Sequence, residues 1–184
     1  THSTLVVDCG ARLPTLALKA NRLHLSGLEP LCTIPGSVGG AIVKNAGCFG
    51  EEIANIITSV TYLDIKTLTE HTANCKEIPF GYRSSEGFFD NKIVLSVTFK
   101  LTPTNKDCLE TMTSYRNKRL QSQPTSPSLG SVFKRTADGV SAGYYIDKAG
   151  LKGTTIGGAK VSEKHANFIV NTGSATSTDY LELA

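Results

Sequence analysis

The sequence lacks the features that define several protein classes. No apolar run approaches the roughly 20 residues of a membrane-spanning helix, and the N-terminus has no signal-peptide pattern. No block of like charge occurs, and a net charge of +3 without a basic patch argues against a nucleic-acid partner. With 40% hydrophobic and 19% charged residues in 184, the composition excludes collagen-like, mucin-like and largely disordered chains. The length suits one domain or two small ones.

Cysteine pairs are also missing. The chain has five cysteines, an odd number, and none are at CxxC spacing, which argues against a disulfide framework and against a zinc site. They are Cys9, Cys32, Cys48, Cys75 and Cys108. We therefore expect reduced, mostly buried thiols in a cytoplasmic protein that holds no metal.

Alternating and β-branched residues predict strands at 5–7, 57–63, 92–101 and 168–170. In the third of these, one parity is wholly apolar and predicts the face of a half-buried strand in an antiparallel or mixed sheet. Its members are Ile93, Leu95, Val97, Phe99 and Leu101.

Helices are predicted at 14–20, 107–120 and 144–149, and a last helix is predicted to be capped at 177–179. Residues 121–130 are rich in Pro, Ser and Gly and form the best linker candidate. We therefore divide the chain into domains 1–105 and 106–184.

The first candidate ligand segment is rich in small residues. It reads TIPGSVGGA from Thr33 and is followed by Asn45, Ala46 and Gly47. A Pro-Gly turn leads into a predicted helix start, where free backbone N–H groups favour anions and glycines let a ligand approach. The pattern is neither GxGxxG nor GxxxxGK[ST], so it fits neither the Rossmann nor the P-loop template. A tight turn packed against another element explains the same residues equally well.

A second cluster, PFGYRS from Pro79, sets Tyr82 and Arg83 beside a glycine. A guanidinium in such a loop can form a bidentate fork with a carboxylate or phosphate. The alternative is a surface arginine whose stem packs on Tyr82.

Two later clusters carry hydroxyl, basic and imidazole groups. Ser131, in SLGSVFKR, is outside a GxSxG motif, although a positioned hydroxyl can still donate a proton. The neighbouring Lys134 and Arg135 could hold phosphates or could be solvated.

Further on, we interpret His165 and Asn167 as side chains that tie a loop to the strand behind it, rather than as catalytic groups.

In this order, the clusters resemble one family, the UDP-N-acetylenolpyruvoylglucosamine reductases, also called UDP-N-acetylmuramate dehydrogenases. The matching segments are GLE from Gly27, IPGSVGGAIVKNAGCFGEE from Ile34, FGYRSS from Phe80, IVLSVTFKL from Ile93, QPTSPSLGSVFK from Gln123 and AGLKGTTIGGAKVSEKHANFIVN from Ala149. Each segment alone is weakly specific, but together they span nearly the whole chain and are highly specific.

The resemblance implies a bacterial cytoplasmic flavoenzyme of peptidoglycan precursor synthesis. The family reduces UDP-N-acetylglucosamine-enolpyruvate to UDP-N-acetylmuramate, with hydride passing from NADPH to FAD and then to the substrate. The implied fold class is α+β: a mixed-sheet FAD-binding subdomain of vanillyl-alcohol-oxidase (PCMH) type at 1–105, then a small α+β substrate-binding domain at 106–184. The implied partner is a UDP-sugar, with no membrane and no nucleic acid, and no oligomeric state is indicated.

The resemblance also assigns roles by position. Arg83 falls on the family's active-site arginine, and Ser131 falls on the serine that supplies a proton to the substrate. The implied substrate-binding residues are Tyr82, Lys134 and Arg135. The implied cofactor-binding residues are Ile34, Pro35, Gly36, Ser37, Gly39, Gly40, Asn45 and Gly47.

Several departures from the family pattern qualify the resemblance. The family's Gly-rich pyrophosphate loop would lie before Thr1, and its third catalytic residue, a glutamate, would lie beyond Ala184, so we expect a fragment. Arg135-Thr136 stands where the family often has Asn-Pro. The span between Arg83 and Gln121 leaves no room for an extra substrate loop, which indicates the loop-lacking subtype.

The alternative function is a degenerate or truncated member that acts as a non-catalytic binding module. A different flavin oxidase of the same fold is disfavoured, because the C-terminal segments match the reductases.

Overall fold

The computed structural model describes residues 2–184. The chain forms two compact units, of which the first ends at Asn117 and the second begins at Lys118. This division lies inside a helix, and the predicted boundary at 105/106 lies just ahead of that helix. No helix within 2–184 is long and apolar enough to cross a membrane.

Over residues 2–117, the first unit contains seven strands, two complete helices and the larger part of a third. Its strands are β1 Ser3–Asp8, β2 Leu25–Ser26, β3 Gly47–Cys48, β4 Glu51–Glu52, β5 Ile57–Asp64, β6 Thr69–Asn74 and β7 Lys92–Pro103. Its helices are α1 Leu13–Arg22, α2 Val38–Val43 and α3 Leu109–Ser122, the last of which continues into the second unit. Short 3₁₀ turns lie at Glu29–Leu31, Ile53–Ile56 and Cys75–Glu77.

The main sheet has the strand order β1-β7-β5-β6, and β2 pairs with the end of β7. Every strand pairing between residues 2 and 184 is antiparallel, so the sheet is antiparallel rather than mixed. Helix α1 packs on the sheet through Leu13, Leu16, Ala17 and Ala20, whose spacing forms one apolar stripe. Phe99, near the end of the central strand β7, is fully buried in the resulting core.

The predicted alternation along β7 is correct for only part of the strand. Val97, Phe99 and Leu101 are buried as expected, but Ile93 is 49% exposed and Val94 is buried. The register explains the change, because Thr61 opposes Ser96 while the next residue, Tyr62, opposes Val94. The extra residue in β7, Leu95, forms a bulge, and such a bulge transfers the preceding side chains to the opposite face.

The second unit is a smaller α+β arrangement, as expected. It contains β8 Ser128–Ser131, α4 Ala142–Lys148, β9 Thr155–Ile156, β10 Ala159–Val161, β11 Phe168–Asn171 and α5 Ser177–Leu183. Its sheet has the order β8-β11-β10-β9. Phe168, Ile169 and Val170 are all buried, which confirms the predicted inner strand.

The last helix begins where predicted but is capped by a different residue. Thr176, rather than a residue within 177–179, accepts a hydrogen bond from the N–H of Asp179, whose carboxylate returns a bond to the Thr176 N–H. This reciprocal arrangement is a capping box, which stabilises the first turn of a helix. All five cysteines are free thiols; Cys108 is buried and the other four are partly buried.

The bulge in β7 predicts that Val94 contributes more to stability than Ile93, whereas regular alternation along the strand would predict the opposite order. Val94→Ala is expected to lower the free energy of unfolding by about 2 kcal/mol, because buried methyl groups are lost and a cavity is left. Ile93→Ala is expected to cost less than half as much, because its side chain is already half exposed. Urea denaturation of both variants measures the order, and a larger loss for Ile93→Ala would show that alternation continues through Leu95.

Candidate functional site

Arg83 is the centre of a polar cluster in the first unit. Its Nη1 donates to the backbone oxygen of Asn45 at 3.3 Å and to Oε1 of Glu52 at 3.2 Å. Its Nη2 donates to the backbone oxygen of Gly47 at 2.6 Å. The guanidinium carbon also lies 5.2 Å from the centre of the Tyr82 ring. Two motifs that are far apart in sequence, Asn45–Gly47 and Tyr82–Arg83, therefore meet in one place.

Local geometry of the 81–84 turn orients Arg83. Gly81 and Ser84 exchange backbone hydrogen bonds of 3.0 and 3.2 Å, which closes a tight turn. Arg83 lies within that turn with a φ of +52°, in the left-handed region that side chains other than glycine rarely adopt. Backbone outliers of this kind concentrate at functional sites, where surrounding contacts hold them in place.

Asn45 connects the pieces of the cluster. It is 1% exposed, and its Nδ2 donates to Oε2 of Glu52 at 2.9 Å and to the Gly81 oxygen at 3.0 Å. Its Oδ1 accepts from the Ala54 N–H at 3.3 Å. Both amide hydrogens and the amide oxygen are thus bonded inside the protein, so Asn45 supports the cluster structurally.

Gly47 is required for Arg83 to approach. A Cβ on Gly47 would lie 2.6 Å from the Glu51 backbone oxygen and 2.8 Å from Nη1 of Arg83. Real Cβ atoms do not tolerate such distances, and here one obstacle is rigid backbone. The β3–β4 hairpin can therefore present the Gly47 carbonyl to Arg83 only with glycine at this position.

The expectation of free N–H groups at the start of α2 is wrong. The Val38 N–H donates to the Ala11 oxygen at 2.8 Å, and the Gly39 N–H donates to the Cys9 oxygen at 2.9 Å. The Gly40 N–H donates to Oγ of the N-cap residue Ser37 at 3.2 Å. The segment that follows β1 runs beside the start of α2 and takes the first donors, so this helix start cannot bind an anion through them.

The glycines around α2 divide into two kinds. Gly39 is buried, and a Cβ there would lie 3.0 Å from the Cβ of Cys9, so it serves packing. Gly36 and Gly10 have no atom within 4 Å of an added Cβ, and exposed Gly40 would meet only Oγ of Ser37 at 3.4 Å. These three glycines therefore have open space where a side chain would be. Gly10 was missing from the sequence-based site, although a Gly shortly after a strand signals a turn.

The remaining predicted residues of this segment contribute differently. Ile34 is partly buried against the hydrophobic core, whereas Pro35 is exposed. Ser37 caps α2 and also forms an isolated bridge with Arg12. The segment is therefore both a packed turn and an open surface, so the two interpretations of the sequence are compatible.

Ser131 lies in the second unit, at the end of β8 and opposite Phe168 on β11. It is exposed and follows Gly130, whose φ is +86°. The loop after it is held by Asn167, whose backbone oxygen accepts from Val132 at 2.9 Å. The Asn167 side chain also accepts from the Phe133 N–H at 3.0 Å and donates to the Phe133 oxygen at 2.8 Å. The predicted tie between Asn167 and a loop is thus confirmed.

Lys134 and Arg135 follow this loop and are exposed. Arg135 donates from Nη1 to the Gly139 oxygen at 3.1 Å, which stabilises the next turn. The structure therefore places two cationic side chains a few residues after Ser131, within the second unit.

His165 borders a cavity that the sequence analysis did not identify. Its Nδ1 accepts from the Asn167 N–H at 3.2 Å, which confirms a structural role, and its ring packs against Phe168. Burial lowers the pKa of His165 below its usual 6.5, with a smaller contribution from the positive charge of Lys152. The cavity, of about 310 Å³, is also lined by Ser141, Tyr144, Asp147, Lys152 and Lys164. The AGLKG and SEKHAN matches include Lys152, Lys164 and His165, but no sequence signal pointed to Ser141, Tyr144 or Asp147.

Comparison with known proteins identifies the class of this fold. Residues 1–73 match the profile described as FAD binding domain, and residues 123–184 match the one described as UDP-N-acetylenolpyruvoylglucosamine reductase, C-terminal domain. The crystal structure of UDP-N-acetylenolpyruvylglucosamine reductase from Thermus caldophilus covers 97% of this chain with a TM-score of 0.89 and 40% identity, and the match covers 66% of that chain. The chain therefore combines an FAD-binding type of α+β fold with a reductase C-terminal domain.

Individual relatives narrow the class to one family. The chain is 45% identical over 179 residues to UDP-N-acetylenolpyruvoylglucosamine reductase of Carboxydothermus hydrogenoformans, covering 96% of this chain and 58% of that protein. It is 46% identical over 188 residues to the protein of the same name from Lactobacillus johnsonii, covering 99% and 60%. The chain belongs to the UDP-N-acetylenolpyruvoylglucosamine reductase family, and it spans about 60% of the length of these curated relatives.

The burial of His165 predicts a pH-dependent stability. Because the folded protein disfavours the imidazolium, His165 stabilises the fold above the unfolded-state pKa of 6.5, and this contribution is lost as pH falls below that value. The urea midpoint of wild type is therefore expected to fall more between pH 7 and pH 5 than that of His165→Gln. His2→Gln, which changes an exposed histidine, is the control and should behave like wild type. An equal fall in His165→Gln would contradict the assignment.

Proposed function

We propose that this chain carries the active-site residues of an enzyme that reduces UDP-N-acetylglucosamine-enolpyruvate to UDP-N-acetylmuramate, using NADPH and FAD. The observation that carries the proposal is the Arg83 cluster, a pre-oriented guanidinium within a chain of this reductase family. A step in peptidoglycan precursor synthesis places the enzyme in the cytoplasm, and five free thiols suit a reducing compartment.

Residues beside the start of α2 fit FAD. The open backbone at Gly10, Gly36 and Gly40 lets a planar ring system approach more closely than any side chain would allow. Ile34, Pro35 and Ser37 complete this surface, while Gly39, Asn45 and Gly47 hold its shape. When bound, FAD supplies the hydride, received from NADPH, that is added to the enolpyruvyl group.

Arg83 is proposed to hold the substrate carboxylate. A guanidinium has five N–H donors, and acceptors within residues 2–184 take three of those of Arg83. The Nε–H and one Nη2–H are left for a ligand, and a carboxylate is the anion that suits a planar fork. Hydride addition to an enol ether conjugated with that carboxylate increases the negative charge on it. A fixed guanidinium therefore stabilises the transition state more than the ground state.

Ser131 is proposed to supply the proton that completes the reduction. The carbon next to the hydride acceptor must gain a proton, and a positioned hydroxyl can donate one. Ser131 is exposed. Two hydrogen bonds between the Asn167 side chain and the backbone of Phe133 restrain the loop that follows Ser131. The geometry therefore supports an accessible hydroxyl next to a restrained loop.

Cationic groups of the second unit are proposed to bind the UDP-sugar. Its diphosphate is anionic, and Lys134 and Arg135 present exposed positive charge near Ser131 in sequence. The cavity beside His165 adds Lys164, whose Nζ donates to the Leu120 oxygen, and Lys152, whose charge is paired with Asp147 at 2.8 Å. Tyr82, in the first unit, is 48% exposed and offers a ring face to the substrate beside Arg83.

The proposed activity is tested with the purified protein, FAD and NADPH. We expect a yellow protein whose flavin absorbance bleaches with NADPH and recovers when UDP-N-acetylglucosamine-enolpyruvate is added. A colourless protein that takes up no added FAD would instead identify a non-catalytic binding module.

Gly40→Val tests the cofactor surface. The three carbons that valine adds at this exposed helical position should block ligand approach and abolish FAD retention, while leaving the fold intact. Equilibrium dialysis with FAD measures retention, and far-UV circular dichroism with a urea midpoint checks the fold. Lys44→Val, also exposed and next to the same helix, is the matched control. Unchanged FAD affinity in Gly40→Val would remove this segment from the cofactor site.

Ser131→Ala is expected to separate the two half-reactions. Flavin reduction by NADPH needs no proton donor to the substrate and should stay close to wild type. Flavin reoxidation by the enolpyruvyl substrate should slow by about 10²–10⁴-fold, the usual contribution of general acid catalysis. Ser131→Cys should recover part of the loss, since a thiol can donate a proton.

Stopped-flow absorbance of the flavin follows each half-reaction separately. Ser128→Ala, an exposed serine on the same strand, is the control and should affect neither half-reaction. Equal slowing of both half-reactions in Ser131→Ala would mean that this residue shapes the flavin site and does not donate the proton.

A further inference from the structure

Glu52 is the only side-chain acceptor of Arg83 within residues 2–184. Its two carboxylate oxygens serve different donors: Oε1 accepts from Nη1 of Arg83 at 3.2 Å, and Oε2 accepts from Nδ2 of Asn45 at 2.9 Å. The Glu52 and Arg83 side chains are 37% and 35% exposed, respectively, so both lie at the edge of the cluster. The carboxylate thus bridges the guanidinium to the buried amide of Asn45.

The bridge requires a carboxylate specifically. Both partners of Glu52, the Arg83 guanidinium and the Asn45 amide nitrogen, can only donate. A guanidinium nitrogen cannot accept a hydrogen bond, and the oxygen of the Asn45 amide already accepts from the Ala54 N–H. A carboxylate can accept at both oxygens, whereas an amide has one acceptor and one donor. Glutamine at this position would therefore set a donor against either Arg83 or Asn45.

The bridge also determines which donors of Arg83 remain available. Glu52 and the Asn45 carbonyl occupy Nη1, and the Gly47 carbonyl occupies one hydrogen of Nη2. All three acceptors lie on the segment that ends in the β3–β4 hairpin, so they restrain the guanidinium from one side. The unused Nε–H and Nη2–H are consequently held in a constant direction.

From this geometry we infer that Glu52 is the positioning residue of Arg83: it orients the guanidinium so that its two unused donors can bind the carboxylate of the substrate. The identity of the substrate in this inference rests on the proposed function, whereas the contact between Glu52 and Arg83 is present in the structure. Glu52 has no direct contact with substrate in this role, and it acts only through Arg83.

Glu51 provides a matched control for Glu52. It is the neighbouring residue on β4, and its Oε1 alone accepts both from the Glu52 N–H at 3.0 Å and from Nδ2 of Asn55 at 2.8 Å. Glutamine can reproduce both contacts with its single oxygen. Glu51→Gln and Glu52→Gln therefore remove the same charge from adjacent positions, but only the second breaks a two-acceptor bridge.

The first measurement is made on the FAD-loaded protein with two ligands that differ by the carboxylate-bearing group. We expect Glu52→Gln to weaken binding of UDP-N-acetylglucosamine-enolpyruvate by about 10- to 100-fold, by analogy with the effect of residues that support metal ligands. Binding of UDP-N-acetylglucosamine, which lacks the enolpyruvyl carboxylate, should stay unchanged. Flavin reduction by NADPH should stay unchanged as well, and Glu51→Gln should match wild type in all three assays.

The second measurement needs no substrate. Phenylglyoxal modifies accessible arginine side chains, and mass spectrometry of the peptide containing Arg83 gives its rate of modification. We expect this rate to rise several-fold in Glu52→Gln and to remain at the wild-type value in Glu51→Gln. A urea midpoint for each variant shows that the fold is retained.

The outcomes separate the inference from the proposed function. If Glu52→Gln leaves both the Arg83 modification rate and enolpyruvyl-sugar binding at the level of Glu51→Gln, Glu52 does not position Arg83. If it weakens both UDP-sugars and FAD equally, Glu52 has a general structural role and the inference is overturned. If wild type binds no enolpyruvyl sugar at all, the proposed function fails, and the modification rate alone still decides whether Glu52 restrains Arg83.

Discussion

Three of the five donors of the Arg83 guanidinium bond to acceptors inside the first unit, and the polar cluster of this unit depends on that interaction. Arg83 takes two backbone carbonyls and one carboxylate, all from the segment that runs from Asn45 to Glu52. A cation that is partly removed from water needs such acceptors, because an unpaired buried charge is far more costly than a lost hydrogen bond. The glycine at position 47, the left-handed backbone at Asn45 and Arg83, and the hairpin that follows are all consistent with this requirement.

The same constraint links stability to the proposed chemistry. A guanidinium that is held by the protein before substrate arrives does not need to be ordered during binding, so its two unused donors are pre-organised for a carboxylate. Glu52 balances the charge of Arg83, so the pair carries no net charge, and the two carbonyl partners add none. A carboxylate ligand would therefore be held by the two directed N–H donors rather than by a net positive charge.

The two units place their candidate residues by different means. In the first unit, Arg83 depends on long-range contacts between a hairpin and a tight turn. In the second, Ser131 depends on Asn167, whose side chain pairs with the backbone of Phe133 much as a neighbouring strand would. An asparagine can do this because its amide has both a donor and an acceptor. In both arrangements, a functional group that is at least partly exposed lies on or beside a backbone that hydrogen bonds restrain.

Much of the fold was predictable from the sequence because its cues are local. The four strands at 5–7, 57–63, 92–101 and 168–170, and the helices that follow a proline or precede a glycine, depend on propensities and periodicities that neighbouring residues already express. The family was likewise indicated by the order and spacing of the motifs IPGSVGG, YR and GSVF, because both can be read directly from the amino-acid sequence.

Only the tertiary structure decided which groups were already bonded. The bulge at Leu95 arises from the register between β5 and β7, and no local pattern encodes an extra residue opposite another strand. The first N–H groups of α2 are taken by Cys9 and Ala11, which lie about thirty residues earlier in the sequence. Glu52 could not be recognised as a partner of Arg83 from the sequence, because a glutamate on a hairpin is ordinarily a solvated charge. The sequence by itself determined the chemistry available and its order along the chain. The pairing of donors with acceptors required folding, because hydrogen bonds form between atoms that are close in space, whatever their separation along the chain.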